Sequence, residues 1–375
     1  MNILILSDLP QFVTGGAEMQ AHRLANSWLD CGHNVRVLGR RIGAKEVRIG
    51  THTVETKRIF TIYNLGRLVR GTTFVISLCL MLLRERTWAD VVYTRFLGEA
   101  AFSASLMKRF GLLKAVVVAT PANTYGKGEA GVLSALPFSR TIISHLDKYC
   151  DQINLIAPAM ADELKSCGFT GRNFSSVPNG IQINQLDIGD RTKVRRAVFV
   201  GRLSAQKGLD SLITAVGRVR ECVPVNGISI VGDGELLDSL QFKASQLDVA
   251  DRFVWHGELD QNGVQEILNK SSFFVLPSVY EGLSNAGLEA LERALPIIAS
   301  RCGGLDTYVD STFGWTFERG DTDALSCALK AAFCAPAEII IEMGMRARFI
   351  AISRFSMESV SREYLGNFRT LLQHA

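Results

Sequence analysis

No stretch of this sequence is long and apolar enough to cross a bilayer as a single helix. The longest run, TTFVISLCLMLL at residues 72–83, has twelve residues, against the ~20 that a spanning helix needs. It reads first as a buried helix. Arg67, Arg70, Arg84 and Arg86 bound it, which is also how a segment lying on an anionic leaflet is flanked, so peripheral membrane contact stays as the alternative. Paired cysteines are lacking as well. Eight cysteines occur, at positions 31, 79, 150, 167, 222, 302, 327 and 334, and no two form a C-x-x-C pair. That spacing argues against a disulfide or metal framework, and cysteines such as those in LDCGHN and SLCLML read as small core hydrophobes in a reducing compartment. The start MNILILSDL has no basic leader or cleavage site, so a cytoplasmic location is expected. No His/Cys cluster has ligand spacing, and no bound metal is expected. The glycine fingerprint of dinucleotide binding is missing too: VGDGE has Leu237 where its third glycine would fall, and the first βα loop carries GGAE in its place, which weakens a dehydrogenase reading.

What is present is the material of packed α/β domains. Hydrophobic residues make up 47% of the 375 and charged residues 21%, a globular composition in a chain long enough for two domains. Apolar strands alternate with helical patterns: NILILSD, a helix through EMQAHRLANSWLDCG opening at Ala17 or Glu18, NVRVLGR, ADVVYTR, KAVVVAT and INLIAP. This is βαβ order around a parallel sheet. The pattern pauses over VPNGIQINQLDIGDRTKVRR and resumes as AVFVG, ISIVGDG, RFVWHG, FFVLPS, PIIAS and GWTF. The expected fold class is thus two Rossmann-like parallel-sheet domains facing a cleft: residues 1–184, residues 185–355, and a terminal helix at 356–375 that could pack on either. Residues 1–184 carry 21 Lys+Arg against 13 Asp+Glu, and the rest 20 against 24, so the halves are +8 and −4. The first half is expected to face an anionic partner or to present a solvated basic surface; no nucleic-acid partner is expected.

In open parallel sheets ligands bind beyond the carboxyl ends of the strands, where helix N-termini point partial positive charge. Gly15 and Gly16 sit in the loop after the first strand. Arg202 stands directly after AVFVG and Lys207 just ahead of the next helix; a guanidinium fork and an ammonium there suit a diphosphate. Gly234 belongs to a turn near that ligand, and His256 reads first as a packed or capping residue. In EGLSNAGLE, Glu281 precedes a helix capped by Ser284 or Asn285, and Glu289 lies about one and a half turns inside it. The two carboxylates cannot share one small site. A nucleotide sugar spans such a gap, with carboxylates accepting from hydroxyls and the amides of Gly282, Leu283, Ser284 and Asn285 adding donors.

PNGIQ, VFVGRLSAQKGL, IVGDGE, LPSVYEGLSNAGLEALERALPIIAS and the pair Gly303–Gly304 resemble the donor half of the retaining glycosyltransferases of family four, also described as glycosyl transferases group 1, which have the GT-B fold. The glutamate pair resembles that family's E-x7-E motif, and GGAE its N-terminal glycine loop. The resemblance implies a UDP-, GDP- or ADP-sugar bound mainly to the second domain. Arg202 and Lys207 would hold the diphosphate, Gly16 would close over it, Glu281 would contact the sugar and Glu289 the ribose, with retention and without metal. Family members often carry a histidine after the strand matching KAVVVAT, where this chain reads ATPANTYGKGE. Asn123, Lys127 and Glu129 are the acceptor-side candidates there. The expected acceptor is a glycan or lipid-linked precursor at the inner membrane face. A nucleotide-sugar epimerase and a non-catalytic sugar-nucleotide-binding subunit are the alternatives.

Overall fold

The computed structural model describes residues 1–13, 15–123, 128–186 and 195–374. The chain divides into two compact units, one formed by Met1–Gly180 with Met357–Ala375 and the other by Ile181–Ser356.

In the first unit the elements are β1 (Asn2–Leu6), α1 (Gly16–Asp30), β2 (Asn34–Gly39), β3 (Glu46–Ile49), β4 (His52–Arg58), α2 (Gly66–Glu85), β5 (Val91–Arg95), α3 (Glu99–Arg109), β6 (Val116–Thr120), α4 (Glu129–Ser134), α5 (Ser139–Tyr149), β7 (Gln152–Asn154), α6 (Met160–Cys167) and β8 (Phe174–Ser175). The sheet order is β3-β4-β2-β1-β5-β6-β7-β8. Every pairing is parallel except that of β3 with β4. Strands such as Val116–Thr120 are buried along their whole length, the pattern of a sheet covered on both faces. The β3–β4 hairpin is absent from the sequence reading, because EVRI, the edge strand, and HTVETKR, its neighbour, are polar rather than apolar runs.

The buried-helix expectation for residues 72–83 needs correction. One stripe of α2, Phe74, Leu78 and Leu82, is buried, while Leu68, Ile76 and Leu80 on the outer side are 82%, 61% and 57% exposed. Leu68, Thr72, Ile76, Leu80 and Arg84 follow one another at four-residue spacing and so form one ridge. A continuous apolar run hides which stripe the core takes, since the helical period appears only where polar residues interrupt it. Among the described residues no single helix is long and apolar enough to cross a membrane.

The second unit holds β9 (Ala197–Val200), α7 (Leu209–Arg218), β10 (Ile228–Val231), α8 (Leu237–Gln246), β11 (Phe253–Trp255), α9 (Gln261–Asn269), β12 (Phe273–Leu276), α10 (Asn285–Glu292), β13 (Ile297–Arg301), β14 (Gly314–Glu318), α11 (Thr322–Cys334) and α12 (Ala337–Phe355). Its sheet is parallel throughout, in the order β11-β10-β9-β12-β13-β14. Phe199, Ile230 and Phe273 pack with Leu212, Leu240 and Leu329 from α7, α8 and α11 in one core. The order reverses between β9 and β12, whose neighbouring loops therefore open a crevice at the carboxyl edge.

The last helix, α13 (Met357–His374), belongs to the first unit. Tyr364 and Phe368 join Trp28 and Tyr93 in edge-on and tilted ring contacts with centroids 5.4–6.0 Å apart. Asn154 Nδ2 donates to the Tyr364 hydroxyl at 2.7 Å, which satisfies a buried phenol that would otherwise be costly.

Candidate functional site

The second unit brings Arg202, Lys207 and Glu281 to the reversal point of its sheet, on the loops that follow β9 and β12. Two hydrogen bonds staple those loops: Val279 N–H donates to the Gln206 carbonyl at 2.8 Å, and Gln206 Nε2 donates to the Tyr280 carbonyl at 3.0 Å. Gly208 makes the approach possible. Its φ is +67°, and a Cβ there would lie 2.0 Å from the Pro277 carbonyl oxygen, so any other residue would push the loops apart.

Within this frame the Lys207 ammonium pairs with the Glu281 carboxylate. The side chains are only 17% and 11% exposed, and Ser278 Oγ donates to the same carboxylate at 3.3 Å. The family resemblance implies separate partners for the two, phosphate for Lys207 and sugar for Glu281, whereas the fold pairs them directly. Arg202, on the same loop as Lys207, is exposed. Removing one partner of a half-buried pair leaves the other charge poorly solvated, which is why such pairs resist substitution.

Glu281 through Ser284 are buried, and Ser284 caps α10 by accepting from Gly287 N–H at 3.2 Å. The structure thus selects Ser284 over Asn285 as the cap. Gly282 and Leu283 form the turn between the carboxylate and the helix, Asn285 opens the helix, and Glu289 stands partly exposed one turn in. Gly304 closes over this turn: a Cβ there would fall 1.9 Å from the Gly282 carbonyl oxygen. Beside it, burial, with Asp306 and Glu281 nearby, pushes the Cys302 thiol up to about 12, so it stays protonated and inert as a nucleophile.

Gly234 lies where the β10 loop meets the β9 loop, fixed by Leu203 N–H to the Asp233 carbonyl at 2.9 Å and Leu236 N–H to the Leu203 carbonyl at 3.2 Å. His256 Nε2 is 3.2 Å from Ser229 Oγ. Burial holds His256 below its ordinary value, with Arg196 adding to the effect, which suits a packed neutral imidazole. Against the expectation of no D-x-D carboxylate pair, the sequence carries the triplet Asp321–Thr322–Asp323, and it serves the fold: Asp321 caps α11 by accepting from Ala324 N–H at 2.9 Å, and Asp323 pairs with Arg218.

In the first unit, Gly15 is the N-cap of α1 and Gly16 its first residue, so the helix opens one or two residues before the expected Ala17 or Glu18. The Glu18 carboxylate folds back over Gly15, where a Cβ would meet Oε2 at 2.2 Å. Burial raises Glu18, with Asp8 adding to it. Glu129 opens α4 and accepts from Ala122 N–H at 2.8 Å and Asn123 N–H at 3.1 Å. Two of the acceptor-side candidates are therefore in contact; Lys127 lies outside the described residues. Thr120, the last residue of β6, is buried with its hydroxyl 3.5 Å from that of Tyr364. Arg95, unnoticed in the sequence, is buried at the end of β5 and donates to Asn179 Oδ1 at 2.9 Å and Tyr93 Oη at 3.3 Å. It reads as an ordinary strand-end arginine until the fold shows it lying within electrostatic reach of Glu18 and Glu129.

Two family models match in tandem: Glycosyltransferase Family 4 over residues 14–185 and Glycosyl transferases group 1 over residues 183–348. The chain belongs to glycosyltransferase family four. This glycosyltransferase is 26% identical over 364 residues to glycogen synthase of Mycobacterium tuberculosis, covering 90% of this chain and 87% of that one. It is 26% identical over 288 residues to the GDP-mannose-dependent alpha-(1-6)-phosphatidylinositol monomannoside mannosyltransferase of Mycolicibacterium smegmatis, covering 71% and 72%. Among solved structures, HepE of Anabaena in complex with UDP superposes with a TM-score of 0.79 at 17% identity, over 99% of this chain and 100% of that chain. Sucrose-phosphate synthase of Thermosynechococcus elongatus gives 0.82 at 16%, over the whole of both chains. These structures carry the GT-B fold of the family.

Proposed function

We propose that this glycosyltransferase moves a hexose-type sugar, with retention and without a metal, from a nucleoside diphosphate bound to the second unit to a glycan or lipid-linked acceptor recognised by the first. The observation that carries the reading is the stapled pair of loops that sets Arg202, the Lys207–Glu281 pair and the positive end of α10 at one strand edge. As the bond from sugar C1 to the diphosphate breaks, negative charge grows on the leaving nucleotide. Arg202 and Lys207 stabilise that charge as preorganised cations, the task a metal performs elsewhere. The incoming diphosphate takes Lys207 from Glu281, freeing the carboxylate to accept from sugar hydroxyls, while Glu289 accepts from the ribose. Gly16 and Gly15 approach the donor from the first unit in this scheme, and Asn123, Lys127 and Glu129 serve the acceptor.

The lipid-linked acceptor is supported by the names of relatives. One acts on a phosphatidylinositol mannoside, and an Escherichia coli relative, 33% identical over 172 residues, is a galactosyltransferase acting on GlcNAc-diphosphoundecaprenol. The basic first half and the outer ridge of α2 support peripheral contact with an anionic membrane at its cytoplasmic face. The test is transfer from labelled UDP-, GDP- and ADP-sugars into source-cell membranes with a chelator present. One nucleotide series should label a lipid or polymer fraction, with the donor's anomeric configuration kept in the product. Transfer that stops on chelation, inverted product, or donor consumed without any acceptor would each overturn part of the reading, the last in favour of an epimerase.

A further inference from the structure

The inner face of α12 is committed to the core of the second unit. Met343, Ala347, Ala351 and Phe355 are buried, and α12 packs on the end of α10 so closely that a Cβ on Gly344 would lie 2.2 Å from the Ala294 carbonyl oxygen. Arg348 ties the helix down by donating to Glu292 Oε1 at 3.0 Å. The outer face is uncovered. Ile341, Met345, Phe349 and Ile352 are all exposed, Phe349 by 57% and Met345 by 47%. Their spacing of four, four and three residues stacks them in one stripe along the helix. Single exposed apolar residues are ordinary on a protein surface, whereas a contiguous stripe on a rigid helix marks an interaction surface.

Charge decides what covers it. Glu342 and Arg346 are exposed one turn apart and run along one flank of the stripe. No ion pair among the described residues uses either of them, and the Arg346 guanidinium lies over the Phe349 ring, 5.3 Å from its centroid. Glu338 and Glu342 put two carboxylates on this surface, and residues 185–375 carry 20 Lys+Arg against 24 Asp+Glu, so an anionic leaflet is repelled here rather than attracted. A second α12 is matched. In an antiparallel pair of identical helices like flanks meet, and a register that sets Glu342 level with Arg346 of the second copy also sets Arg346 level with its Glu342. In that register Ile341, Met345 and Phe349 of the two helices alternate along the seam.

We propose that the outer face of α12 is a self-association surface, on which a second copy of this chain seats its own α12 antiparallel in a two-fold dimer. A two-fold contact uses the same patch on both copies, so one stripe suffices and association closes at two. The seam is a single helix face, smaller than the ~800 Å² per partner of a standard interface, so the dimer is weak and concentration-dependent. Phe349 and Met345 supply its affinity, and the two Glu342–Arg346 pairs set its register.

The test is sedimentation equilibrium of the full-length protein at micromolar to submillimolar concentrations, without lipid or detergent. Wild type should pass from monomer to dimer as concentration rises. Phe349→Glu should weaken the dimer by about tenfold or more. Glu342→Arg and Arg346→Glu should each weaken it, by setting like charges level, and the double exchange should restore it. All four positions of the stripe and its flank tested this way are exposed, so folding, followed by Tm, should change little. Wild type that stays monomeric, a species that grows beyond the dimer, a dimer indifferent to Phe349→Glu, or a double exchange that fails to restore association would each overturn the proposal. Monomeric wild type that floats with anionic vesicles, and loses this with Phe349→Glu, would assign the stripe to a lipid surface instead. Neither donor nor acceptor enters the readout, so its outcome is separate from that of the donor site.

Discussion

A carboxylate that accepts two backbone N–H groups is ordinarily made more acidic by them. Glu129 goes the other way: burial raises its carboxyl above the usual range even though Ala122 and Asn123 both donate to it and Arg95 is near. Desolvation therefore outweighs the two hydrogen bonds. Because the folded value lies above the unfolded one, the contribution of Glu129 to stability is full below about 4.3 and is lost as pH rises through the folded value. Glu129→Gln removes the ionisation while keeping an acceptor for one amide. The Tm difference, variant minus wild type, should move in the variant's favour as pH rises from about 4 to about 7. A difference that stays constant across this range would show that Glu129 titrates as an ordinary surface glutamate.

At the scale of elements, α2 separates two roles on one helix. Leu78 is fully buried, so Leu78→Ala should cost about 2–5 kcal/mol in denaturant unfolding. Leu68 and Ile76 face outward, and Leu68→Asp with Ile76→Glu should change stability by no more than about 0.5 kcal/mol each. Glu85, the acidic residue of α2, is buried between Lys57 and Arg36, which leaves the exposed Arg84 and Arg86 unopposed by an outward carboxylate of the helix. Flotation with anionic vesicles should thus recover wild type and lose the double variant, with binding weakened by salt. Equal flotation of the two would remove α2 from the membrane face.

The same helix shows what the sequence makes legible. Strand-helix alternation, the E-x7-E spacing and the cations after AVFVG are local signals, and each stands in the fold as an element or a loop. Pairings between distant loops are not local. Lys207 with Glu281, and Glu129 with the Ala122 and Asn123 amides, arise only once the sheet order is fixed. Helices α11 and α12 escaped notice for another reason, since their apolar residues serve several neighbours and blur a single stripe.

On the scale of the whole molecule, each unit has a sheet that is parallel apart from the β3–β4 hairpin of the first, and the strand order turns between β1 and β5 in the first and between β9 and β12 in the second. The first unit is completed by α13 from the far end of the chain, through Tyr364 and Phe368. Apart from Gly15 and Gly16, the candidate donor groups belong to the second unit, and donor binding is measurable without an acceptor. The most direct test is thermal unfolding of the full chain with UDP-, GDP- and ADP-sugars, for wild type, Lys207→Ala and Arg202→Ala. Arg202 is exposed, so its variant keeps the test valid should Lys207→Ala fold poorly with Glu281 unpaired. One nucleotide series should stabilise wild type, by about 2.7 kcal/mol at a hundredfold excess over Kd, and both variants should lose most of that gain. If no series stabilises wild type at millimolar ligand, or if the variants respond as wild type does, the diphosphate site does not lie at Arg202 and Lys207.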